Sequence, residues 1–115
     1  MVHRLMPLLL VLIAGCSKGA QADLQYIGQA RSLAAEWALV NEQASRGKLR
    51  DAYVQSMRAD LRKQLQTTAS ALTQPDSNYG HEIQALLAEP DAAAPEELRR
   101  HADKLKQIED SLESA

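Results

Sequence analysis

The sequence predicts an all-α fold, a small helical bundle of three long helices and one short one. Three observations carry the prediction. Apolar residues recur at alternating intervals of three and four in three separate segments. Short breakers containing Gly or Pro divide those segments. No stretch alternates with period two over a β-branched run, so no sheet is expected.

The first helical segment runs from Leu24 to about Ser45. Its inner face is Tyr26, Ala30, Leu33, Trp37, Val40 and Ala44, spaced 4, 3, 4, 3 and 4, as on a helix packed along one neighbour. Asp23 is a reasonable N-cap. Arg46-Gly47-Lys48 then breaks the pattern, with Gly47 suited to the left-handed position just past a helix end. A second segment runs from about Leu49 to Thr73, through Tyr53 or Val54, then Met57, Leu61, Leu65, Thr68 and Leu72. Pro75 ends it, within the loop Gln74-Pro75-Asp76-Ser77-Asn78. So short a joint between two long helices makes them antiparallel neighbours, an αα-hairpin.

A shorter helix is expected from Tyr79 or Gly80 to Ala88, with Ile83, Leu86 and Leu87 facing inward and Glu89-Pro90 closing it. Pro95 falls near the first turn of the last helix, where its missing N–H costs nothing, and Glu96 and Glu97 favour the positive end of the helix dipole. There Leu98, His101, Leu105, Ile108 and Leu112 repeat at 3, 4, 3 and 4.

With 115 residues the chain has room for one small domain and not for a multi-domain enzyme. Its 45% hydrophobic content is inflated by an N-terminal apolar run and by 19 alanines, each of which buries little surface. Phe is absent, and Trp37, Tyr26, Tyr53 and Tyr79 are the only aromatics. The first three are expected to pack in the core or between helices. A net charge of −2 argues against a dedicated nucleic-acid binder, which would carry a basic excess. One stretch departs from that balance. Residues 46–63 hold Arg46, Lys48, Arg50, Arg58, Arg62 and Lys63 against Asp51 and Asp60, a local +4. It suits either charge balancing against acidic first and last helices or contact with anionic head groups or an acidic partner.

The N-terminal residues 1–15 have three zones: His3 and Arg4 as a positive head, an uncharged run from Leu5 to Ala14, and the small pair Ala14-Gly15 before Cys16, the only cysteine. That is the plan of an export signal. Ten helical residues span about 15 Å, half of a hydrocarbon core, so the segment is too short for a permanent membrane helix.

Leu12-Ile13-Ala14-Gly15-Cys16 resembles the lipobox of bacterial lipoproteins: an aliphatic residue, then small residues, then an invariant Cys. The resemblance covers the first 16 residues alone. It implies a diacylglycerol thioether on Cys16 and cleavage between Gly15 and Cys16 by a type II signal peptidase, which recognises Leu12, Ile13, Ala14 and Gly15. Acylation of the new amine of Cys16 normally follows. Two or three acyl chains hold a protein on a bilayer where one holds it only reversibly. Ser17, in place of the Asp that retains such lipoproteins at the inner membrane, favours the outer membrane, facing the periplasm. The expected organisation is therefore a signal peptide over 1–15, a lipidated cysteine and polar tether over 16–23, and a helical domain over 24–115.

Beyond Cys16 the sequence offers little reactive chemistry. His81-Glu82 opens like a zinc-protease helix motif, but position 85 is Ala85, so the second ligand is missing. His81 is expected in a first helical turn, facing solvent. His101, on an apolar stripe, is expected at the core boundary with one hydrogen bond. Two histidines on separate helices and no second cysteine predict no metal site and no cofactor. Acids and bases intermix at helical spacings, as in Asp60 with Arg58 and Lys63, or Asp103 with Lys106, which describes a solvated face. No catalytic residues are assigned. The expected function is that of a lipid-anchored, non-catalytic binding, accessory or scaffold module of the bacterial envelope. Its partners would be the membrane, through Cys16, and a membrane-proximal envelope protein. The alternative is a small inhibitor or exclusion lipoprotein that blocks a membrane-proximal enzyme or machine.

Overall fold

The computed structural model describes residues 19–115. The lipobox, Cys16 and the first tether residues lie outside the described residues. Four helices follow in order: α1 (Ala20–Ser45), α2 (Asp51–Ala71), α3 (Asn78–Leu87) and α4 (Pro95–Glu113). Among the described residues there is no strand, and no helix is long and apolar enough to cross a membrane. The fold is the expected small helical bundle of three long helices and one short one.

Cross-helix hydrogen bonds give the directions. Gln21 reaches the Leu112 carbonyl, Arg31 reaches Glu109, and Asn41 reaches the Ala93 carbonyl, so α4 runs antiparallel to α1 along its length. Thr73 with Gly19, Thr68 with Gln29, and Arg58 with Asn41 place α2 antiparallel on another side of α1. α1 is thus the central helix, flanked by both other long helices. α3 closes the end of the bundle against α2 and α4.

Central position explains why α1 buries more than one narrow face. Ile27, Ala30, Ala34, Trp37 and Ala38 are all almost wholly buried, with Leu33 and Val40 beside them. The small residues Ala30, Ala34 and Ala38 let both neighbours approach closely, so the alanine content contributes packing where large side chains would hold the helices apart. One expected inner residue, Tyr26, is displaced, and the choice between Tyr53 and Val54 falls to Val54. Tyr26 is only half-buried while adjacent Ile27 is buried, and Tyr53 is 51% exposed while adjacent Val54 is buried. In each pair the aliphatic residue takes the core and the phenol keeps contact with water. Thr68, Leu61 and Leu65 of α2, and Leu98 and Leu105 of α4, are buried as their spacing predicts.

The helix ends follow local chemistry. Past α1, Gly47 sits at φ +68, the Gly47 N–H bonds Ala44 O, and the Lys48 N–H bonds Gln43 O, a Schellman closure around the expected glycine. α3 starts at Ser77, whose hydroxyl oxygen accepts the Gly80 N–H at 3.1 Å. Gly80 itself has no room for a side chain, because a Cβ there would meet the Pro75 carbonyl oxygen at 2.1 Å. Pro95 is the first residue of α4, where no N–H is missed.

α1 begins at Ala20, four residues before the expected start, and Asp23 is not its N-cap. It lies inside the first turn, wholly buried, and serves another part of the chain. Its carboxylate accepts the backbone N–H groups of Thr73 at 2.8 Å and Gln74 at 3.1 Å, and the Tyr79 hydroxyl at 2.6 Å. Thr73 and Gln74 lie in the loop past the end of α2, outside any helix, and their backbone N–H groups find their acceptor in Asp23. One carboxylate therefore ties together α1, the α2–α3 loop and α3.

Candidate functional site

Two polar assemblies stand out in the bundle, one on each side of the α3–α4 loop, residues 88–94. The first is a clamp that holds the loop against α1 and α2. The Trp37 indole N–H and the Asn41 amide both donate to the Asp91 carbonyl at 3.0 Å, and Asn41 also donates to the Ala93 carbonyl at 2.8 Å. Arg62 donates to the Leu87 carbonyl at 2.6 Å, to the Glu89 carbonyl at 2.8 Å and to the Asp91 carboxylate at 3.0 Å. Its guanidinium lies 5.0 Å from the centre of the Trp37 ring, within cation–π range. Arg58 is fixed by the Asn41 side-chain oxygen at 2.8 Å.

These contacts decide what the basic stretch does. Arg46 pairs with Glu42 on α1, while Arg58 and Arg62 satisfy polar groups of the bundle itself. Charge balancing by helices one and four is thus only part of the arrangement, because Arg62 serves a loop. Among the described residues, Lys48, Arg50 and Lys63 make no ion pair. Beside Arg58 lie two open grooves, of about 350 Å³ with Asp51, Val54, Ala93 and Pro95, and of about 490 Å³ with Ala59, Arg62 and Asp91. Replacing Arg62 with Ala is expected to cost about 2–3 kcal/mol, since the Leu87 carbonyl at the end of α3 and the Glu89 carbonyl of the loop lose charge-assisted donors. Denaturant unfolding measures the loss, and amide exchange in residues 88–94 should accelerate more than exchange elsewhere. Arg62→Lys should recover less than half of it, because an ammonium cannot span the same acceptors.

The second assembly surrounds His101. The side chain is 6% exposed, and both ring nitrogens meet carboxylates: Nδ1 lies 2.5 Å from Glu82 Oε2, and Nε2 lies 2.7 Å from Glu89 Oε2. Glu82 comes from α3, Glu89 from the loop just after it, and Glu97 from α4 one turn before His101. Oxygen atoms of Glu89 and Glu97 and a ring nitrogen of His101 all lie within 4.8 Å of one another. Glu97 is about half exposed and accepts a hydrogen bond from Arg100 at 2.6 Å, which holds its carboxyl below the usual range. Arg100 is correspondingly raised, first by that hydrogen bond and the charge of Glu97, with Glu82 and Glu89 adding to it. A carboxylate can only accept, so with both glutamates ionised the two contacts are satisfied when both ring nitrogens carry protons.

The expectation of one hydrogen bond for His101 is therefore corrected to two, and the residue is buried rather than at the boundary. Counting only His and Cys as anchors missed the assembly. The visible signal was Glu97 and His101 four apart on one helix, hence on one face. Glu82 and Glu89 belong to a different element, and sequence spacing does not say which helix face they meet. His81 is exposed as expected. The surface pairs differ in partner: Lys106 bonds Asp110 rather than Asp103, and Asp60 accepts from Gln64. Compared with protein-family models, with curated proteins and with solved structures, the chain matches none.

Proposed function

We propose that this chain is a lipid-anchored protein of the bacterial envelope whose helical domain works by binding a membrane-proximal protein partner, without catalysing a reaction. The observation that carries the reading is the lipobox Leu12-Ile13-Ala14-Gly15-Cys16. The fold supports it through the tether. Because α1 starts at Ala20, only Ser17, Lys18 and Gly19 separate Cys16 from the bundle. Three extended residues reach about 10 Å, so a bilayer holding Cys16 would hold the domain at its surface. α1 has 26 residues, about 39 Å of helix, which bounds how far from the bilayer the α1–α2 loop can meet a partner. Ser17 favours the outer membrane. The non-catalytic part rests on the histidines: His81 stands on the surface away from the polar assemblies, and His101 is 6% exposed, where a substrate has little access.

Cys16→Ala tests the anchoring. Intact mass should show the wild-type protein beginning at a triacylated Cys16, and the variant remaining as an unlipidated, uncleaved precursor. Mature protein of the variant that still sediments with outer membranes would overturn the reading.

A further inference from the structure

We propose that Glu89, Glu97 and His101 form a binding site for a first-row divalent cation, with Zn²⁺ the fitting probe, and that Glu82 orients the imidazole for it. The donor set is one imidazole nitrogen and two carboxylates, nitrogen and oxygen donors that Zn²⁺ accepts. Glu97 and His101 are rigidly spaced by one turn of α4, and His101 is locked by burial. Glu82 accepting from Nδ1 leaves Nε2 as the nitrogen directed at Glu89. A carboxylate behind a metal-bound histidine is the usual partner of such a ligand, fixing its tautomer and raising its basicity.

The charges agree, and the donors lie close enough for side-chain rotation to gather them. Donors on a tetrahedral Zn²⁺ at about 2.0–2.1 Å are about 3.3 Å apart. The 2.7 Å from Nε2 to Glu89 must open by roughly 0.6 Å, which a loop glutamate with rotatable side-chain bonds can supply. A Glu97 carboxylate oxygen, within 4.8 Å of the other two donors, would close on the cation and exchange Arg100 for it or share it. Three carboxylates converge here, two of them less than one-fifth exposed, while Arg100 is the only arginine or lysine in ion-pair contact with them among the described residues. A divalent ion would neutralise charge that the bundle leaves in excess. Nitrogen ligation disfavours Mg²⁺ and Ca²⁺, which take oxygen donors.

The test is calorimetric titration of Zn²⁺ into the chelator-stripped, full mature protein in mild detergent. The expected result is one Zn²⁺ per chain and no displacement by millimolar Mg²⁺. His101→Gln should abolish binding, and Glu82→Gln should weaken it about 10–100-fold without touching the ion. Glu97→Gln, on a half-exposed position that leaves the fold intact, should weaken it at least tenfold. His81→Gln should change nothing. The proposal is overturned if the wild type takes up no Zn²⁺, if Glu97→Gln binds as tightly as the wild type, or if His81→Gln is the variant that loses binding. Should His101→Gln fail to fold, Glu97→Gln decides alone.

Discussion

Asp23→Ala is expected to destabilise the domain by about 3–5 kcal/mol, because it strands three donors at once: the Thr73 N–H, the Gln74 N–H and the buried Tyr79 hydroxyl. A domain of this size has roughly 5–15 kcal/mol in total, so the variant should lose a large share of its stability. Asp23→Asn keeps the shape but turns one acceptor into a donor facing donors, and should cost about 1–3 kcal/mol. Chemical denaturation followed by helical circular dichroism ranks the three proteins. Equal stability of Asp23→Ala and wild type would show that the carboxylate does not tie α1 to the α2–α3 loop.

The same contacts set a pH signature. Burial would raise the Asp23 carboxyl, but the hydrogen bonds from Thr73, Tyr79 and Gln74 together outweigh it and hold the group below its ordinary value. A depressed folded value means that the contribution is whole above the unfolded carboxyl value, near pH 4, and disappears as pH falls through the folded one. Tyr79 works in the opposite sense. Burial first, then its hydrogen bond to Asp23, push the phenol up to about 12. Its contribution is whole below pH 10 and disappears as pH rises towards 12. Asp23→Ala should flatten the acid limb of the stability profile, and Tyr79→Phe the alkaline limb.

The architecture was legible because periodicity and breakers are local. Gly47, Pro75 and Pro95 punctuate the chain by backbone chemistry that needs no tertiary context, and Leu61, Leu65, Leu98 and Leu105 advertise their faces by spacing. What spacing cannot resolve is the choice between adjacent residues, Tyr26 or Ile27, Tyr53 or Val54, which depends on where a second neighbour lies. Asp23 shows the same limit for polar residues: an acid at a helix start reads as a cap, and only the return of the chain at Thr73 reveals three other donors. The cluster on His101 was half visible, in Glu97 and His101 on one face of α4. The other half, Glu82 and Glu89, comes from α3 and the turn past it, and was hidden until that helix docked.

Trp37→Ala should be comparably severe, about 3–5 kcal/mol, through the cavity left by a side chain 1% exposed at the centre of α1 and through loss of the surface on which Arg62 lies. Trp37→Phe separates packing from hydrogen bonding. The Asp91 carbonyl that Trp37 bonds also accepts from Asn41 at the same distance, 3.0 Å, so removing the indole N–H alone orphans nothing. The cost should then be about 1–2 kcal/mol. Asn41→Ala alone leaves Trp37 on the Asp91 carbonyl, though it deprives the Ala93 carbonyl and Arg58 of their partner. Only the double variant leaves the Asp91 carbonyl without either side-chain donor. Its loss should exceed the sum of the single losses by about 1 kcal/mol, measurable by a denaturation double-mutant cycle. Simple additivity would mean that the two donors do not back each other up at the Asp91 carbonyl.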